Sequence, residues 1–185
     1  MRLENVEGAL REFRNFVIQQ SRSRLTKSGK NNTKELYNSL DGEVVIGSDS
    51  IKVEFQMEDY GYYQDRGVKG FKSTYPEIAQ YGTLARFGSG KGKKGGKGLG
   101  YNIKKWVESK RFQFRDKKTG RFLSYQSTAY LISRSIWNKG IRPSLFFTKP
   151  FEQAKARLPQ EIEKAYGLDV ESYLEFIISK DKILK

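Results

Sequence analysis

Leu3, Val6, Leu10, Phe13 and Val17 follow one another at steps of three and four residues, while Arg11, Glu12, Arg14 and Asn15 fill the opposite side. That period puts the apolar set on one stripe and predicts an amphipathic helix of about five turns. With Ile18 beside it, the stripe can pack on the chain's own sheet or on a neighbouring copy, the sheet being the plainer reading. Positions 21–32 turn basic and polar around Gly29 and predict a hinge, so residues 1–32 read as N-terminal helix and hinge. Asn32 or Thr33 can cap a short helix through Leu36, Tyr37 and Leu40, closed by Asp41-Gly42. The period then drops to two. Ile51, Val53, Phe55 and Met57 alternate with Lys52, Glu54 and Gln56, which predicts a half-buried strand over 51–57 paired with 43–46 through a Gly47-Ser48-Asp49-Ser50 turn.

Further on, Tyr60, Tyr62 and Tyr63 run into Asp65-Arg66-Gly67, a short helical turn leaving the sheet with half-buried tyrosines. Residues 68–100 read as the least globular part, a basic, Gly/Lys-rich flexible insertion. A helix over 101–110 carries Ile103, Trp106 and Val107. Phe112, Phe114 and Phe122 then alternate with Arg111, Arg115 and Arg121 around Lys117-Lys118-Thr119-Gly120, the pattern of a basic hairpin with phenylalanines on its inner face. Ser124 or Ser127 starts a helix whose apolar side holds Ala129, Leu131, Ile132, Ile136 and Trp137, and Gly140 ends it. Pro143 and Pro150 keep 141–147 extended or tightly turned. Thr148 can then cap a helix with Pro150 and Glu152 in its first turn. Pro159 kinks that helix or opens a new turn, Gly167 breaks it, and Asp169 caps a last helix with Tyr173, Leu174, Ile177 and Ile178 on one side, so 150–185 is a helical C-terminal segment.

These elements predict a single α+β domain spanning 1–185. A small antiparallel or mixed β-sheet, made of the hairpin and one or two later strands, is flanked by the N-terminal helix and the central helix over 124–139. Its expected core is Leu36, Leu40, Val53, Phe55, Ile132, Ile136, Phe146, Phe147 and Phe151.

Composition narrows the chemistry. The chain has neither cysteine nor histidine, so thiolate and imidazole catalysis and Cys- or His-ligated metals are excluded. The net charge of +14 is uneven: positions 86–121 hold thirteen Lys or Arg against Glu108 and Asp116, +11, leaving +3 for the remainder. The glycines and lysines of 88–98 suggest a phosphate loop, but no register gives G-x-x-x-x-G-K followed by Ser or Thr. No apolar run approaches a membrane span or a secretory signal, so the expectation is a product of the cytoplasm in which it is made, with no membrane partner.

Three stretches carry a resemblance: D-Y-G-Y-Y-Q-D-R-G at 59–67, L-I-S-R-S-I-W-N-K-G-I-R-P at 131–143, and G-I-R-P-S-L-F-F-T-K-P-F-E-Q-A-K-A-R-L at 140–158. Together they resemble a head-to-tail connector or tail-completion protein of a tailed bacteriophage, most closely a neck-ring structural protein of the crAss-like phages of gut Bacteroides. The likeness covers roughly 33–179 and is strongest in the last third; the basic insertion from Phe71 to Tyr101 departs from it. It implies a virion structural protein assembled in the host bacterial cytoplasm: a homo-oligomeric ring in the neck between portal and tail that extends the DNA channel. Twelve copies would match a portal-bound ring and six a tail-bound terminator, with twelve preferred. Its implied partners are the portal protein, other neck or tail ring proteins, and genomic DNA passing without sequence-specific contacts. Tyr60, Tyr62, Tyr63, Arg66 and Arg142 are the expected subunit or partner interface.

A basic docking or DNA-facing set is expected at Lys91, Lys93, Lys94, Lys97, Lys104, Lys105, Arg111, Arg115, Lys117, Lys118 and Arg121. Because many fixed cations would hold DNA rather than let it slide, the lysine-glycine loop is as well suited to acidic surfaces of a neighbouring protein. The alternative function is sequence-independent nucleic-acid binding through the same residues with interleaved aromatics. Enzymatic activity is not expected, nor any cofactor or metal; the least remote candidate is a Mg²⁺ nuclease using Glu58, Asp59 and Asp65.

Overall fold

A computed structural model describes residues 3–29, 33–47, 50–81, 85–87 and 98–183, with side chains as far as Ser179. In chain order the elements are α1 (Glu4–Lys27), α2 (Glu35–Ser39), β1 (Asp41–Ile46), β2 (Ile51–Gln56), α3 (Tyr60–Arg66), β3 (Val68–Lys69), α4 (Pro76–Tyr81), α5 (Leu99–Ser109), α6 (Tyr125–Lys139), β4 (Gly140–Ile141) and α7 (Thr148–Ile183). The architecture is α+β. The contacts divide it into two compact units, the first made of Met1–Gly61 with Leu145–Lys185 and the second of Tyr62–Ser144.

In the first unit, β1 and β2 pair antiparallel, with Val44 opposite Val53 and Gly42 opposite Phe55. Ile51, Val53 and Phe55 turn inward and Lys52, Glu54 and Gln56 outward, as their alternation requires. Behind them α1 packs on α7. Ala154, Leu158, Ile162 and Ala165 of α7 lie on one face, against Phe13 and Val17 toward one end and Val6 and Leu10 toward the other. The two alanines are small enough for close helix approach. At the middle, Phe13, Phe55, Phe147 and Phe151 meet mostly edge to face, with centroids 5.4 to 6.1 Å apart. Each such pair is worth about 0.5–1.5 kcal/mol beyond burial. Leu25, Leu36, Leu40 and Phe146 form a third cluster, with Met57 and Tyr37 against it.

Several expectations are corrected here. Positions 21–27 are helix rather than hinge, because Ser21 and Leu25 are fully buried and Arg22 donates to the carbonyls of Tyr37 (3.1 Å) and Leu40 (2.8 Å). The short second helix starts after Lys34, not at Thr33, and Asp41-Gly42 opens β1 instead of ending it. α7 continues through both Pro159 and Gly167 for 36 residues. Proline removes one helical hydrogen bond and glycine costs about 1 kcal/mol, yet Leu158, Ile162 and Ala165 pack on α1 across Pro159, and Asp169, bonded to the start of α1, holds the turn after Gly167. Asp169 does cap a helix, but it is α1: its carboxylate accepts from the backbone N–H groups of Asn5 (3.0 Å) and Val6 (3.1 Å) and from Asn5 Nδ2 (2.8 Å). The N-cap residue Leu3 has no side chain to do this.

The second unit has its own two-stranded ladder, β3 with β4, and Lys69 of β3 bridges Arg86 on its other side. The later strands thus pair with one another. Gly140 closes α6 and opens β4 at φ +90°, where a Cβ would run into the Val68 carbonyl oxygen. Gly67, at φ +80°, is likewise confined, by the Ile141 carbonyl oxygen and Pro143. Ser124 caps α6 by accepting from the Ser127 N–H (3.1 Å), as expected. Ile132 and Ile136 belong to this unit and not to the core of the first, and they are only half-buried. The stretch expected to be least globular is partly built: Val68 and Ile78 are buried, and Trp137 packs with Phe71 and Phe87. The glycine-lysine run at 88–97 lies outside the described residues.

Candidate functional site

The expected interface residues are near one another in sequence but unequal in role. Tyr60, Tyr62 and Tyr63 on α3 are 44%, 50% and 46% exposed, and the rings of the last two meet edge to face at 5.6 Å. Burial of the Tyr60 phenol, and then the Glu35 carboxylate, push its pKa above the ordinary value. Arg66 is half-buried, with Nε 4.0 Å from the Asp65 carboxylate. Arg142 pairs with Glu77 of α4. The Glu77 N–H, and then the Arg142 guanidinium, hold that carboxyl below its usual range. Arg142 therefore fastens β4 to α4 within the second unit.

The basic set divides. Lys91, Lys93, Lys94 and Lys97 lie outside the described residues. Lys104 pairs with Glu108 at 3.8 Å, one helical turn on, and Lys105 lies over the Tyr101 ring at 5.1 Å. After α5 the chain makes a short hairpin, in which Arg115 bridges Phe122 and the Leu123 N–H donates to the Phe114 carbonyl at 2.8 Å. Asp116 organises its turn by accepting from Lys118 N–H, Thr119 N–H and the Thr119 hydroxyl. Those bonds, the Thr119 N–H foremost, lower the Asp116 pKa. Lys117, Lys118 and Arg121 are left on the outside, and Arg111 is exposed as well, at φ +51°.

The phenylalanines here do not form an inner face. Phe112, Phe114 and Trp106 are each about two-fifths exposed, and Phe122 is 64% exposed beneath the Arg115 guanidinium, 4.8 Å from its ring. Trp106, Phe112 and Phe114 touch in series, with centroids 6.4 and 5.2 Å apart. A two-residue inward set needs a second layer to face, and α5 offers only Val107 as a fully buried side chain. The aromatic-cationic pattern is thus a surface.

A second surface was visible in sequence but assigned no role. Beyond its contact with α1, α7 exposes Tyr166, Leu168, Tyr173, Leu174, Phe176, Ile177 and Ile178. The available signal was charge: positions 160–179 hold five acids and only Lys164, a net of −4 in a chain of +14.

No protein-family model, curated protein or solved structure matches the chain.

Glu58 and Asp59 belong to the first unit and Asp65 to the second. Among the described residues there is no group of three or more carboxylates placed to hold a metal ion. Among the same residues no helix is long and apolar enough to cross a membrane.

Proposed function

We propose that this chain is a structural subunit of a homo-oligomeric ring in the neck of a tailed bacteriophage, between portal and tail, around a DNA channel. The observation that carries the reading is the amount of large apolar side chain left uncovered on defined elements: three tyrosines of α3, the aromatic series from Trp106 to Phe122, and the end of α7. Scattered exposed hydrophobes are ordinary, but runs of them on one element mark surfaces that another protein covers. The likeness of the 59–67, 131–143 and 140–158 stretches to connector proteins names the kind of assembly. In it, the α1–α7–hairpin unit supplies shape and the basic unit supplies an adhesive face.

Mass measurement tests this. Light scattering and native mass spectrometry of the full chain, alone and co-expressed with its portal protein, should show a closed ring, twelve copies where the portal is the template. A monomer at every concentration that also ignores the portal overturns the proposal. The arrangement of Arg115 over Phe122 beside Lys117, Lys118 and Arg121 favours one second reading, sequence-independent binding of nucleic acid. That reading requires the isolated monomer to bind single- or double-stranded DNA with an affinity that falls steeply with salt.

A further inference from the structure

The ring reading leaves open which surfaces of adjacent copies meet, and two unclaimed surfaces are complementary. The first is the distal half of α7. At 100° per residue, Tyr166, Tyr173, Leu174, Ile177 and Ile178 share a stripe about 140° wide, adjoining the face that meets α1 at Tyr173 and centred about 130° round the helix from it. Glu171 and Glu175 border it. The second is the Trp106–Phe112–Phe114 series with Phe122, inside a stretch (104–121) that has eight Lys or Arg against Glu108 and Asp116, +6.

We infer that the distal half of α7 docks on the aromatic-cationic surface of the next copy, an inference that rests on the ring reading. Charge selects this occupant. Pairing the distal half with its own copy would set Glu171 and Glu175 against the same two carboxylates, and pairing two basic surfaces would set +6 against +6. Acidic helix on basic aromatics joins opposite signs and covers apolar surface on both sides. Nucleic acid could occupy the basic surface, but it would leave the α7 stripe uncovered, because Glu171 and Glu175 keep a polyanion off that stripe. A contact between two different patches is heterologous, so its repetition closes a ring when the rotation allows. An amphipathic helix laid on an apolar groove is also a common recognition mode.

The test uses charge exchange in the full-length chain, read by sedimentation as self-association or, where the portal is needed as template, as copies per portal. E171K/E175K and R115E/R121E should each weaken assembly about tenfold or more. An equimolar mixture of the two variants should restore it, since at the exchanged positions each then offers the sign the other lacks, and so should the chain carrying all four changes. Circular dichroism of each variant checks that it folds, and restoration on mixing excludes misfolding as the cause of loss. If the wild type forms rings and neither variant disturbs them, this contact is wrong while the ring reading stands. If the wild type never assembles, both fail. If R115E/R121E loses only DNA binding, the surface serves nucleic acid and the inference is overturned.

Discussion

The two units are stabilised by different means. The first buries leucines, valines and phenylalanines in three clusters between long helices and a hairpin. The second buries few apolar side chains, chiefly Val68, Ile78, Val107 and Ala129, and is held by backbone hydrogen bonds, close glycine contacts and ion pairs such as Arg142–Glu77. A unit with little core tolerates little change in backbone geometry. A unit with much core tolerates backbone irregularity, such as Pro159 inside α7, but not the loss of side-chain volume.

The largest expected effect is therefore in the first unit. Phe146 is 1% exposed among Leu25, Leu36 and Leu40, so Phe146→Ala should destabilise it by about 3–5 kcal/mol. Urea unfolding followed by far-ultraviolet circular dichroism, dominated by α1 and α7, measures this. A loss under about 1 kcal/mol would show that the cluster is not a close-packed core.

Next comes Gly140→Ala, which attacks the second unit through its backbone. At φ +90° with the Val68 carbonyl in the way of a Cβ, it should cost about 2–3 kcal/mol. Both tryptophans, Trp106 and Trp137, lie in this unit, so fluorescence follows it separately from the helical signal. The expected result is a lowered fluorescence midpoint with the circular-dichroism transition of the first unit in place. Equal displacement of both transitions would mean the units unfold as one.

The same contrast explains what could be read in the sequence. Local rules found the hairpin, since Ile51, Val53 and Phe55 alternate, and both ends of α6, since Ser124 and Gly140 are strong caps. They failed where tertiary burial overrode them: at Ser21 and Leu25, which keep α1 helical, and along α7, where packing on α1 carries the helix through Pro159. Membership of the units was not legible at all. Phe146 and Ile132 are equally apolar in sequence, and only the fold puts one in the core of the first unit and leaves the other half-buried in the second. The basic aromatic segment was legible as a pattern, but its exposure was not, because a strand with an inner phenylalanine face has the same alternation.

A smaller effect comes from the bond that ties the two ends of the first unit. Asp169 is 4% exposed. Burial alone would raise its pKa, but the Asn5 and Val6 N–H groups and the Asn5 amide outweigh that and hold it below the ordinary carboxylate value. Because the folded value lies under the unfolded one of about 3.9, its stabilisation is complete above that pH and is lost as pH falls through the folded pKa. Asp169→Ala should cost about 1–2 kcal/mol at neutral pH, the range of a helix cap. In Asp169→Asn the acid-dependent part of the loss should vanish. Stability of the first unit measured between pH 2 and 7 checks both, and an unchanged acid slope in the asparagine variant would remove Asp169 from the account.

The smallest expected effect has the opposite sign. Ser21 is completely buried in α1, and its hydroxyl has no hydrogen-bond partner. A buried hydroxyl that has left water without gaining a partner opposes folding, whereas a methyl in the same place has nothing to lose. Alanine also has the higher helix propensity, and it removes one oxygen from a tight site without adding an atom. Ser21→Ala should thus stabilise the first unit by up to about 1 kcal/mol, seen as a raised urea midpoint at unchanged slope and with no change in tryptophan fluorescence. A destabilisation of similar size would mean that the hydroxyl is bonded after all, and that this turn of α1 is tied to its surroundings by more than Leu25 and Arg22.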